Sequence, residues 1–337
     1  MVSRPLLMLA EVVPQGLPLT GRVVRAGLAR AFGPPPFDPA AAPGDPGLFG
    51  PGSASWQVIS EPAAIVGGIR ALLVQSLHPL AMAGVAKHSR FREDALSRLQ
   101  RTSAYVTATT FGSTPEALTA AATVRKVHRR VRGTAPDGRP YTADDPQLLA
   151  WVSIALTSSF LATDGCYAAT AVDAATADAF VAEQSRAAAL LDRRVDLAAL
   201  GSDEESLQRL REGRLDLPML SDAILPSTVA QLRERLEDFR PHLDVNHQGR
   251  RALRFLLWPD VPGPLRAAYL PMLAGAVASL EGDQRKLLGI PPGTPVRALR
   301  VQTRMLVAGM RLATGVSPSL SAARRRAAAV PTAIRAP

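Results

Sequence analysis

Two stretches of this sequence carry residue types at spacings that could do chemistry. Along 115–132, Ala117, Ala121, Val124, His128 and Val131 recur at steps of four, three, four and three, so an imidazole sits within the apolar stripe of a helix. Its neighbours one and two turns back are small, which leaves a flat slot of the shape a porphyrin needs beside an axial histidine. Arg125, Lys126, Arg129, Arg130 and Arg132 surround it as cations that could meet propionates. A lone histidine on an apolar face is more often a hydrogen-bonded core residue than a ligand, so residue types alone leave both readings open. Upstream, Arg98, Arg101, Thr102 and Tyr105 fall at i, i+3, i+4 and i+7 and share one helical face. That face is either solvated or a wall of guanidinium and hydroxyl donors aimed at oxygen-borne negative charge.

The elements that must position these residues read as helices. Ala and Leu dominate the apolar residues, aromatics are only 5%, and alternating β-branched runs are rare, which predicts an all-α fold. The link from Gly33 to Ser53, rich in Pro, Gly and Ala, can form only turns and extended chain wrapped on the body. Ser60 is expected to cap a helix running to His78-Pro79, and a further helix reaches about His88. A helix from Glu93 stops at Gly112, and Ser113 or Thr114 with Pro115 and Glu116 starts the next, which Gly133 stops; the pair forms a tight hairpin. The 134–145 loop turns at Asp137-Gly138, and Pro146 opens a long helix. Later helices are expected near 174–191, 227–239, 247–257, 264–280 and 295–313. The division expected is a 1–59 extension and link, a single helical domain over 60–315, and an Ala/Arg-rich tail over 316–337.

Composition limits the function classes. The single Cys166 excludes an intramolecular disulfide and suits a reducing, cytoplasmic setting. No run of roughly 18 uncharged apolar residues appears, so no stable membrane insertion is expected. The net charge of +10 comes without aromatic interleaving or a nucleic-acid-binding signature, so nucleic acid is not an expected partner. His78 reads as a cap or core residue and His88 as a helix end, while His242 and His247 lack the spacing that puts two imidazoles on one helical face. Phosphate loops, dinucleotide fingerprints and nucleophile elbows are absent.

One order of residues is more specific than any of these motifs. His78-Pro79, Gly84-Val85-Ala86 with His88-Ser89, Arg98-Leu99 with Thr102, Phe111-Gly112, Val124-Arg125 with His128, then Gly133, Tyr141, Asp145-Pro146 and Trp151-Val152 follow in turn. This order resembles an actinobacterial branch of the oxygenases that share a catalytic domain with latex clearing protein (rubber oxygenase) and the fungal oxygenase of mycophenolic acid biosynthesis. The likeness is densest from Glu61 to Ala162 and continues to about Leu288. It implies a globin-like helical core, a haem b cofactor, and O₂-dependent oxidation of a hydrophobic, often isoprenoid, substrate. By position it implies that His128 is the proximal iron ligand and that Arg98, Arg101 and Thr102 are the distal catalytic group. Arg125, Arg129 and Tyr105 are expected at the cofactor. Arg101 stands where some rubber oxygenases carry a lysine, and a permanently charged guanidinium is a poor iron ligand. Two other readings keep the haem: a peroxidase-like enzyme and a non-enzymatic haem carrier or gas sensor. The apolar stretches 65–77, 148–161 and 264–280 are expected to line the substrate space.

Overall fold

The computed structural model of the chain describes residues 35–88, 95–258 and 263–329. The expected amphipathic segment at 17–32, Ser89 of the family-like order and the last residues of the tail lie outside these. So do the side chains of His88 and Arg98, whose backbones are helical.

Two helices make the centre. Helix α1 (Ala54–Ser60) and helix α2 (Ala63–Gln75) meet at a bend of 90°. Ser60 therefore does not cap α2, as expected from sequence. It ends α1 and donates its hydroxyl to the Gln57 carbonyl, while Pro62 precedes α2. Past α3 (Pro79–His88), α4 (Ala95–Phe111), α5 (Thr114–His128) and a hairpin of β1 (Arg132–Thr134) and β2 (Pro140–Thr142), helix α6 (Pro146–Tyr167) returns along α2. Asp145 starts α6 by accepting from the amides of Gln147 and Leu148. Gly67 lets the two axes approach: a Cβ there would lie 2.7 Å from the Phe160 ring and from Thr163 Oγ1. Trp151, Ile154 and Ala155 of α6 are fully buried in the seam.

Helix α6 is long and apolar enough to cross a membrane by length and composition, which a strict count of apolar residues missed. Its Ser158 and Thr163 donate to carbonyls of their own helix, so they interrupt neither the helix nor its burial. Within the fold it is the core helix, covered by α2 and its neighbours.

The second half of the chain packs around this pair: α7 (Ala174–Ala189), α8 (Leu197–Ser202), α9 (Glu204–Arg211), α10 (Pro218–Ser221), α11 (Val229–Phe239) and α12 (His247–Leu257), then α13 (Gly263–Ser279), α14 (Gly282–Leu287), α15 (Val296–Thr314) and α16 (Pro318–Ala328). Sixteen α-helices and one two-stranded hairpin among the described residues make the fold all-α. The hairpin pairs Gly133 with Tyr141 in antiparallel register and occupies what reads from sequence as a plain loop, because three-residue strands leave no periodicity to detect.

Residues of both end segments are built into this body. Phe37 of the link packs with Trp56, Phe111 and Leu320 in one apolar cluster. Arg326 of α16 is only 2% exposed, and its guanidinium donates to the carbonyls of Asp45, Phe111 and Gly112. The helices expected to line a substrate space instead fill the space between them. Thr303 occupies the room beside Gly275, Tyr167 donates to the Gly275 carbonyl, and Arg70 lies buried in the seam on Ser159, Gln284 and the Ser279 carbonyl. Local patterns could not reveal that these apolar faces meet one another.

Arg326→Ala should leave two carbonyls at the end of α4 and one in the link, that of Asp45, without their donor. A loss of roughly 2–4 kcal/mol in urea unfolding is expected. An unchanged midpoint would show that α16 is only appended.

Candidate functional site

The hairpin of α4 and α5 carries most of the candidate residues. Gly112 permits the sharp turn, since a Cβ there would stand 2.4 Å from the Ala108 carbonyl oxygen. Ser113 is the N-cap of α5 in a reciprocal capping box: its hydroxyl accepts from the Glu116 amide while Glu116 accepts from the Ser113 amide at 2.8 Å. Asp45 accepts from both the amide and the hydroxyl of Thr114, and Arg211 pairs with Asp45 at 3.2 Å.

From this anchored start the α5 stripe runs as its spacing predicts. Ala117 and Ala121 are fully buried, Val124 and His128 half-buried, and Ala122, Thr123, Lys126, Val127 and Arg129 face outward. His128 closes the helix on its inward side. Arg125 and Lys126 in the last turn suit the negative end of the helix dipole, so part of the basic run has a local cause.

The chain beyond His128 is held by the hairpin. The His128 carbonyl accepts from the Val131 amide at 3.0 Å, and the Val131 carbonyl accepts from Ala143 at 2.8 Å. Helix α3 lies against this hairpin with a glycine at the contact: a Cβ on Gly84 would meet Val131 at 3.4 Å and the Tyr141 ring at 3.6 Å. A Cβ on Gly133 would stand 2.9 Å from the Tyr141 hydroxyl oxygen and 3.3 Å from Lys87 Nζ. Gly84, some fifty residues upstream, thus meets the hairpin pair Gly133 and Tyr141 one turn beyond His128. All three stand in the family-like order read from the sequence, but that order does not say that they meet to set this end of α5.

The other candidates divide. Thr102 is half-buried on α4, whereas Arg101 and Arg129 are exposed. Tyr105 donates to the Ala187 carbonyl at 2.9 Å, and burial pushes its hydroxyl above the ordinary range. Arg125 donates to the carbonyls of Val195 and Arg193 at 2.8 and 3.0 Å, and burial lowers its pKa. Both side chains therefore tie the hairpin to the segment ending α7, a task that sequence spacing did not suggest.

His78 has a structural post. It is 5% exposed against Trp151 and Phe239, and its Nδ1 faces the Ala81 amide at 3.5 Å, as a cap on the first turn of α3. Burial, with the positive charges of Arg139 and His242 nearby, lowers its pKa to about 4. Beside α3 a cavity of about 370 Å³ is lined by Pro79, Asp137, Arg139, His242 and Asp244 among others, a polar mouth unlike an apolar substrate site.

Among the described residues no group of three or more His, Cys, Asp and Glu side chains is placed to hold a bare metal ion. The inner face of α5 instead offers one imidazole on an otherwise apolar stripe, which suits a ligand that brings its own equatorial donors. Residues 56–312 match the family described as ER-bound oxygenase mpaB/B'/Rubber oxygenase, catalytic domain. The chain belongs to this family. No curated protein and no solved structure matches it in the corresponding comparisons. The match runs from the second turn of α1 to the last turn of α15, so the oxygenase domain includes the central pair, the α4–α5 hairpin and α13.

The His78 pKa gives a pH prediction. Above pH 6.5 neither folded nor unfolded chain binds the proton at this residue. As pH falls from 6.5 towards 4 the unfolded chain binds it first, and roughly 3 kcal/mol of stability should be lost. Unfolding of the wild type and His78→Asn across this range should show that extra loss in the wild type alone; parallel curves would refute it.

Proposed function

We propose that this oxygenase is haem b-dependent and uses O₂ to oxidise a lipophilic, alkene-bearing small molecule, isoprenoid or similar. The observation that carries the proposal is His128, a half-buried imidazole that continues the stripe of Val124 and, two turns back, the fully buried Ala121, in a chain of the mpaB/rubber oxygenase family. His128 would be the protein ligand to the iron. Haem, when bound, supplies the O₂ affinity and redox capacity that helical side chains lack.

The residues of the chain have the remaining tasks. The capping box fixes the start of α5, and the hairpin and α3 fix its end, so the imidazole cannot swing away with a fraying helix terminus. Thr102 would present a hydroxyl, and Arg98 and Arg101 guanidinium donors, where negative charge develops on oxygen. A guanidinium keeps its proton, so Arg101 would act as a hydrogen-bond donor rather than occupy a coordination site. Arg129 would supply a cation at the rim for a propionate. Tyr105 and Arg125 would act on the cofactor indirectly, by seating the hairpin on the segment ending α7. The lipophilic partner is favoured because the outer cations suit carboxylates at a rim, whereas a charged substrate moved inside would lose hydration without a matched partner.

His128→Ala should abolish stoichiometric haem, measured by the Soret band after haem-supplemented expression, while far-ultraviolet circular dichroism stays that of the wild type. Full haem content in a folded variant would overturn the assignment. Ala at Thr102 or Arg101 should preserve haem content and alter O₂ binding or turnover.

A further inference from the structure

The described surface has six large apolar side chains well exposed, and three of them, Val301 at 59%, Met305 at 71% and Leu312 at 66%, belong to α15. At 100° per residue these three lie within about 40° of one another, with Ala298, Ala308 and Gly309 on the same side. The opposite side, with Thr303, Val307, Met310 and Ala313, is buried. Helix α15 therefore has two apolar faces, only one of which the fold uses.

Between these faces runs a row of arginines. Arg297, Arg300, Arg304 and Arg311 occupy one flank, and the 19-residue helix contains no Asp or Glu. Arg300 donates to the Ala278 carbonyl and Arg304 to the Cys166 carbonyl, contacts that fix the guanidiniums but leave their charge without a counterion. Among the described residues only Arg311 of this row has a carboxylate partner, Glu61 at 2.7 Å.

We infer that this face of α15 docks on an anionic lipid surface, its exposed apolar strip entering the headgroup boundary and its arginine row meeting lipid phosphates and carboxylates. The charge selects this occupant. A second copy of the chain in an antiparallel two-fold pairing of α15 helices would bring two arginine rows together, a like-charge contact that costs stability. The N-terminal 34 residues carry Arg4, Arg22, Arg25 and Arg30 against a single Glu11, so they too repel the row. An anionic bilayer satisfies both halves of the face, since apolar burial and cationic attraction add in interfacial helices. The inference is independent of the cofactor assignment, although a lipophilic substrate would partition into the same surface.

The test is co-sedimentation of the full chain with phosphatidylcholine vesicles prepared with and without phosphatidylserine. Binding is expected to the anionic vesicles, to weaken with added salt, and to fall roughly tenfold or more in the triple variant Val301→Ser, Met305→Ser, Leu312→Ser. These positions are exposed, so the thermal midpoint and haem content of the variant should match the wild type. Val127→Ser, which alters an exposed apolar residue within the α5 basic run, should leave binding unchanged. Absence of binding, binding that the triple variant retains, or binding abolished by Val127→Ser would each overturn the proposal. A concentration-dependent dimer that the triple variant dissociates, without vesicle binding, would assign the face to a second copy and overturn it as well.

Discussion

The turn between α4 and α5 has to reverse the chain within two residues and still satisfy the last carbonyls of one helix and the first amides of the next. Four distant segments meet that requirement. Trp56 Nε1 donates to the Thr110 carbonyl at 2.7 Å, and Arg326 donates to the carbonyls of Phe111 and Gly112. Asp45 accepts from Thr114, and Arg211 neutralises Asp45. Each buried group left unpaired there would cost roughly 1–3 kcal/mol, so link, first helix, middle and final helix are all recruited to one corner. With the corner fixed, the inward faces of α4 and α5 stay opposed over several turns, which brings Thr102 and His128 into one hairpin.

The far end of α5 is secured differently. There two glycines let α3 and the hairpin close on the Tyr141 ring. Contacts of this kind tolerate little added volume, so close packing adds to the hydrogen bonds of Arg125 and Val131 in positioning the end of the helix that bears His128. An imidazole at the last helical residue would otherwise share in the fraying of a helix terminus.

Much of this was legible in the residues. The α5 stripe, the capping box, the Asp145-Pro146 start of α6 and the later helices follow from periodicity and punctuation, which report on neighbours three or four residues away. Elements whose cause is distant were not legible. Helix α1 begins with the amides of Ala54 and Ser55 bonded to Glu183, more than a hundred residues on. The same limit hid the tasks of Tyr105 and Arg125: spacing placed them on the correct helices, but their carbonyl partners lie on the segment ending α7, and no local pattern reports a backbone acceptor. It also made the helices rich in Ala, Leu and Val look like the walls of a pocket, when their faces close on one another around Arg70.

The excess of arginine has a related cause. Sixteen helices, several of them no longer than eight residues, leave many C-terminal carbonyls without intrahelical partners. At such ends Arg186 donates to the carbonyls of Leu210 and Arg211, Arg304 to that of Cys166, and Arg326 to those of Phe111 and Gly112, while Arg125 and Arg326 also serve loop carbonyls at Arg193, Val195 and Asp45. A guanidinium suits this use because it offers five donors in a plane and can bond two carbonyls at once, which a lysine ammonium does with less directional control. Carbonyls accept hydrogen bonds without cancelling charge. Each arginine used in this way ties one segment to the backbone of another, and the carbonyl itself brings no negative charge. The row on α15 stands out because there the same arginines also border an apolar strip that the fold leaves uncovered.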